Sequence, residues 1–117
     1  MVNALTSESF KEKIFDYTTE EDWNFKGERH TVIDFYATWC GPCKAVAPLL
    51  DELSLEFEGR IDFYKVDTDA EQEVSAAFGI RSVPSLLFIP AKGTPQLAAG
   101  ALPKHAFIET FKDVFDI

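Results

Sequence analysis

Cys40 and Cys43 are the only cysteines in the chain, and only Gly41 and Pro42 separate them. On a helix, side chains at i and i+3 start with Cβ atoms about 5–6 Å apart, and a disulfide needs about 3.5–4.5 Å, so a small adjustment opens or closes the bond. The chemistry suited to this spacing is thiol–disulfide exchange, in which two sulfurs take up or release two electrons. Two other readings fit two cysteines. A purely structural bridge would close a loop too short to restrict the unfolded chain much. Half of a zinc site would need more soft ligands, and only His30 and His105 are present, neither at finger-like spacing from Cys43.

The two sulfurs are not equivalent. Pro42 suits the first position of a helix, which puts Cys40 just ahead of it, where unpaired N–H groups favour a thiolate, and Cys43 inside the first turn. Cys40 is therefore expected to be the accessible nucleophile and Cys43 the resolving thiol. Asp34 stands in the apolar run Thr31-Val32-Ile33-Asp34-Phe35-Tyr36-Ala37, on the face shared by Val32 and Tyr36. A carboxylate there is costly to desolvate and its pKa rises unless a cation is near; Lys65, in the next apolar run, is the candidate. A buried Asp34–Lys65 pair beside the dithiol could accept and relay the proton of Cys43, and a merely structural ion pair fits the pattern equally well. Trp39 reads as a shield and contact surface for Cys40, or else as a core residue. Pro84 alone reads as an edge-strand proline and Gly100 as a turn glycine. His30, His105 and the Glu20-Glu21-Asp22 cluster read as solvated surface.

The elements that position these residues alternate in kind along the chain. A short strand around Val2 to Leu5 precedes a helix capped by Thr6 or Ser7, with Phe10, Ile14 and Phe15 on one face. Thr18 to Lys26 reads as a loop or short helix. The run from Thr31 to Ala37 is a central strand covered on both sides. From Pro42, Val46, Leu49, Leu50, Leu53 and Phe57 recur at helical spacing up to Gly59, with Pro48 expected to kink the helix. Ile61 to Val66 makes another buried strand, and Asp69 with Gln72 is expected to cap a short helix ending at Gly79. Ser85 to Ile89 pairs through a turn at Ala91 to Thr94 with a strand near Gln96 to Ala99, and a last helix follows Pro103. Early strands are separated by helices and late ones by a hairpin. The order predicts an α/β fold: a central mixed β-sheet with a parallel core and an antiparallel edge, flanked by about four helices.

Composition narrows the functions. The 117 residues, 46% hydrophobic with eleven Phe, suit one domain spanning 1–117. A net charge of −9 repels phosphate backbones and anionic lipid, which argues against nucleic-acid or membrane-surface partners. The N-terminal residues have neither a basic start nor an unbroken apolar stretch, so a cytoplasmic location is expected; a periplasmic one is the alternative if a signal peptide was removed.

The stretch Ala37-Thr38-Trp39-Cys40-Gly41-Pro42-Cys43-Lys44 resembles the active site of the thioredoxin family, and the resemblance runs from Leu5 onward through Pro48, Asp67 and Gly100-Ala101-Leu102. It implies the thioredoxin fold. It also implies that Asp34, six residues before the first cysteine, deprotonates Cys43, with Lys65 on the neighbouring strand. Gly79-Ile80-Arg81-Ser82-Val83-Pro84-Ser85 resembles the family loop whose proline is cis and faces the cysteines. Trp39, Gly41, Pro42, Val83, Pro84 and Gly100 would then form the substrate patch, with the Val83 backbone pairing to an extended peptide.

The activity implied is reduction of disulfides in protein substrates by a monomer, with a reductase such as thioredoxin reductase as electron donor. No metal or cofactor is implied beyond the Cys40–Cys43 disulfide. The Gly-Pro dipeptide is the one associated with reducing members. A periplasmic thiol-disulfide exchanger and a redox-independent binding module are the alternatives. Tyr36 and Thr38 depart from the residues many thioredoxins carry, Trp and an acidic or other polar residue. Ser85 replaces a common Thr, and the turn from Phe88 to Gly93 is longer than usual.

Overall fold

The computed structural model describes residues 1–117. Its elements are β1 (Val2–Ala4), α1 (Ser7–Lys13), β2 (His30–Tyr36), α2 (Gly41–Glu56), β3 (Ile61–Asp67), α3 (Gln72–Ala77), β4 (Ser85–Ile89), β5 (Gln96–Ala99), α4 (Lys104–Thr110) and a π-helical turn at Phe111–Phe115. The strands form one sheet in the order β1-β3-β2-β4-β5. β1, β3 and β2 run parallel, while β4 and β5 are antiparallel to their neighbours, so the mixed sheet expected from the element order is present.

Two apolar layers sandwich the sheet, and strand alternation decides which residue enters which. From β2 and β4, Val32, Leu86 and Phe88 face one layer, with Val46, Leu50 and Leu53 of α2 and Phe107, Phe111 and Phe115 of the C-terminal helix. Ile33, Phe35, Leu87 and Ile89 face the other, with Phe10 of α1, Ile14 and Phe15 just beyond its end, and Val74 from α3. Asp34 follows the parity of Val32, so it points toward α2. This parity brings a carboxyl to the start of the helix that carries the cysteines.

Local signals set most boundaries. Thr6 caps α1 by accepting from the Ser9 N–H at 3.0 Å, and Ser9 Oγ accepts the Thr6 N–H at 2.8 Å in return. The segment after α1 is a loop. α2 runs as a single helix through Pro48, which sits exposed on its outer face.

Two expectations need correction, and one element carries an irregularity. Asp69 does not cap α3: the N-cap is Glu71, without a side-chain cap bond, and Asp69 is engaged elsewhere. The helix expected after Pro103 is present and widens at its end into a π-turn in which Phe111 and Phe115 stack at 5.6 Å. His30 is not a free surface residue. Its ring stacks on Phe115 at 4.6 Å and its Nδ1 accepts the Ala91 N–H at 2.9 Å, since the start of β2 is covered by the hairpin turn and the C-terminal turn.

Candidate active site

β2 ends at Tyr36, and Ala37, Thr38 and Trp39 lead into α2, whose N-cap is Cys40. Gly41 and Pro42 occupy the first two helical positions and are exposed; the missing N–H of proline costs nothing there, and its fixed φ suits the helix. Cys40 and Cys43 are joined by a disulfide, with Cα atoms 5.3 Å apart, inside the usual span for such bonds. The Cys43 N–H donates to Cys40 Sγ at 3.1 Å, so the sulfur occupies the place of a capping side chain. On reduction the same N–H and the helix dipole favour a Cys40 thiolate.

The expected contrast between an open Cys40 and a recessed Cys43 is absent from this oxidised form: each cysteine is 4% exposed. Ala37, Tyr36 and Val83 pack around the two cysteines.

Trp39, by contrast, is 70% exposed beside Cys40, which settles it as a surface residue. Its indole N–H donates to Asp69 Oδ2 at 2.8 Å. Across the site, the Val83–Pro84 peptide is cis and Pro84 is buried. The Pro84 carbonyl accepts the N–H of Gly100 at 2.8 Å, and Gly100 has φ +99°, a conformation that glycine adopts without steric cost. Ser85 Oγ donates to the Ser82 carbonyl at 2.7 Å and braces the loop. A groove of about 160 Å³ runs between Trp39 and this loop, lined by Thr68, Ile80, Arg81, Ser82 and Val83.

Behind Cys43 lies a cavity of about 250 Å³ lined by Asp34, Tyr36, Ala37, Thr38, Lys44, Ala47 and Lys65. Asp34 is 3% exposed, and its Oδ1 has no hydrogen-bond partner. Burial pushes its pKa up to about 7, and the positive charge of Lys65 only partly offsets this. The buried Asp34–Lys65 pair expected from the sequence does not form. Lys65 is exposed and its ammonium lies over the Tyr36 ring, 6.0 Å from the centroid. A lysine at the rim keeps its hydration by extending outward, whereas the shorter aspartate cannot.

The structure places Cys40, Gly41, Pro42 and Cys43 at the start of α2 with Asp34 and Lys65 on one side, and Trp39, Val83, Pro84 and Gly100 on the other. Asp69 was missed as a site residue. It lies thirty positions from Trp39, and its spacing to Gln72 mimics a cap.

A CxxC disulfide at the start of a helix, facing a cis-proline loop on a mixed five-stranded sheet, defines a thiol-disulfide oxidoreductase. The family model described as Thioredoxin matches residues 1–113, so the chain belongs to the thioredoxin family. It is 50% identical over 115 residues to a thioredoxin of Borreliella burgdorferi, covering 98% of both chains. It is also 33% identical to thioredoxin 1 of Nostoc sp. over 92% of both chains. The crystal structure of chloroplastic thioredoxin z superposes with a TM-score of 0.82 and 25% identity, covering 97% of this chain and 93% of that one.

Proposed function

We propose that the chain works in the reducing direction, transferring two electrons from its dithiol to disulfides of protein substrates. The Cys40 thiolate attacks one sulfur of the substrate disulfide, and the other leaves as a thiolate. Cys43 then loses its proton to Asp34 and attacks Cys40 Sγ, which releases the second substrate sulfur and leaves the Cys40–Cys43 disulfide. A reductase, thioredoxin reductase being the natural donor for this family, returns two electrons and restores the dithiol.

The observation that best supports these roles is the partnerless Asp34 carboxyl in the cavity that also borders Cys43, with its pKa near 7. A base in that range is ionised often enough to take a proton and weak enough to give it back. Lys65, at the rim, tunes that carboxyl. Trp39, Gly41, Pro42, Val83, Pro84 and Gly100 surround the disulfide as the docking surface, and the free backbone of Val83 suits strand-like pairing with an extended peptide. No helix is long and apolar enough to cross a membrane. The bacterial relatives support a protein that acts in the cytoplasm.

The Cys43→Ser variant tests the roles. It should accumulate a mixed disulfide between Cys40 and substrate, detectable by mass under non-reducing conditions, while the Cys40→Ser variant should not. Equilibration with glutathione tests the direction: a potential near the about −120 mV of strongly oxidising exchange proteins would overturn it.

A further inference from the structure

Asp34 and Lys65 are register partners in the parallel pairing of β2 and β3, so their side chains leave the same face of the sheet one strand apart. A lysine stem easily spans that gap. Yet no ion pair within 4.0 Å joins them, and Asp34 Oδ1 is left without a partner. The ammonium lies instead over the ring of Tyr36, two residues beyond Asp34 on the same face of β2 and diagonal to Lys65 across the strands. We infer that Tyr36 is a positioning residue: its ring face holds the Lys65 ammonium at the cavity rim and so keeps Asp34 from being locked into an ion pair.

The consequence follows from simple electrostatics. A carboxylate in direct contact with an ammonium is held ionised well below neutrality and is a poor proton acceptor. The same carboxylate facing a ring-tethered lysine several ångströms off is tuned but not locked. Other groups around Asp34 do not supply this control. Asp67 of β3 stands opposite Tyr36 in register and uses its Oδ1 to accept the Asp69 and Ala70 N–H groups. From α2, Cys43 is in the disulfide and Lys44 lines the cavity, forming no ion pair of its own. β4 presents only Leu86 opposite Asp34. The ring, not the phenol hydroxyl, makes the contact with Lys65, so phenylalanine should serve in its place and leucine should not.

The inference takes its catalytic meaning from the reading of Asp34 as the proton acceptor, but its test does not depend on it. The Asp34 carboxyl carbon is titrated by NMR in the oxidised protein, with Tyr36→Phe and Tyr36→Leu made in both the native and the Lys65→Leu background. Tyr36→Phe should leave the midpoint in place. Tyr36→Leu should lower it by about one pH unit or more as Lys65 moves onto Asp34. With Lys65→Leu, Tyr36→Leu should have no such effect. An unmoved midpoint in Tyr36→Leu overturns the inference, and so does an equal drop in both backgrounds, which would mean that water entering the cavity, not the lysine, is responsible. If Tyr36→Leu does not fold, the Lys65 ε-methylene protons of the native protein decide: an upfield ring-current shift retained in Tyr36→Trp upholds the tether, and free-lysine shifts overturn it. Full disulfide-reductase activity in Asp34→Asn would instead defeat the proton-acceptor role and leave the titration result standing.

Discussion

Trp39 donates its indole N–H to the carboxylate of Asp69 over 2.8 Å, tying a ring that is 70% exposed to a turn thirty residues further along the chain. The turn is itself braced, because Asp67 Oδ1 accepts the N–H groups of Asp69 and Ala70 at 3.0 and 3.3 Å. An exposed aromatic surface beside the reactive sulfur is thus held in one orientation before any partner arrives, which lowers the ordering cost of binding.

Asp69→Ala should therefore weaken substrate docking more than folding. Loss of one hydrogen bond to a charged acceptor corresponds to a KM increase of up to about tenfold for a protein disulfide, with kcat nearly kept. Stability should change by less than about 1 kcal/mol, because both groups remain hydrated. Steady-state reduction of a protein disulfide and urea unfolding check the two parts.

Asp34 should make the protein less stable as pH rises. Its folded pKa, about 7, lies above the unfolded value near 3.9, so the native state holds the proton over that window and the unfolded state does not. The advantage of the protonated form is complete below about pH 4 and is lost as pH climbs through 7, a change of up to about 4 kcal/mol. Relative to the native protein, Asp34→Asn should gain stability by a comparable amount between pH 4 and pH 8. Urea unfolding of both oxidised proteins at the two pH values measures it, and a constant difference would refute the burial-driven shift.

His30 should act in the opposite sense. Burial holds its pKa below the ordinary value, and its Nδ1 can accept the Ala91 N–H only while unprotonated. The stability it contributes is present above about pH 6.5, the unfolded value, and is lost as pH falls through the folded one. His30→Phe keeps a ring against Phe115 and removes the acceptor. It should cost about 1 kcal/mol at pH 8 and less at pH 5, as read by urea unfolding.

The contact between α1 and α3 is also testable. The Ser7 N–H donates to Glu71 Oε1 at 2.8 Å, and Ser7 Oγ accepts the Val74 N–H at 3.3 Å, so each helix start is satisfied by the other. Ser7→Ala and Glu71→Ala should each cost about 1 kcal/mol in unfolding experiments while leaving disulfide reduction unchanged.

The amino-acid sequence by itself determined the order and kind of the elements, the start of α2 at the cysteine pair and the side of β2 from which Asp34 projects. Those features depend on neighbouring residues: the period of two in Val32, Asp34 and Tyr36, the fixed φ of Pro42, the apolar spacing of Val46, Leu50 and Leu53. Tertiary structure alone decided which of several available partners each polar group took. Asp69 has the spacing of a cap and binds Trp39; Lys65 has the register of an ion-pair partner for Asp34 and lies over Tyr36; His30 has the look of a surface residue and anchors the Ala91 turn. Each is a competition among contacts that exist only after the strands pair and the helices close over them. Where a group ends up desolvated, as Asp34 and His30 do, the cost depends on a final depth of burial that no local pattern encodes.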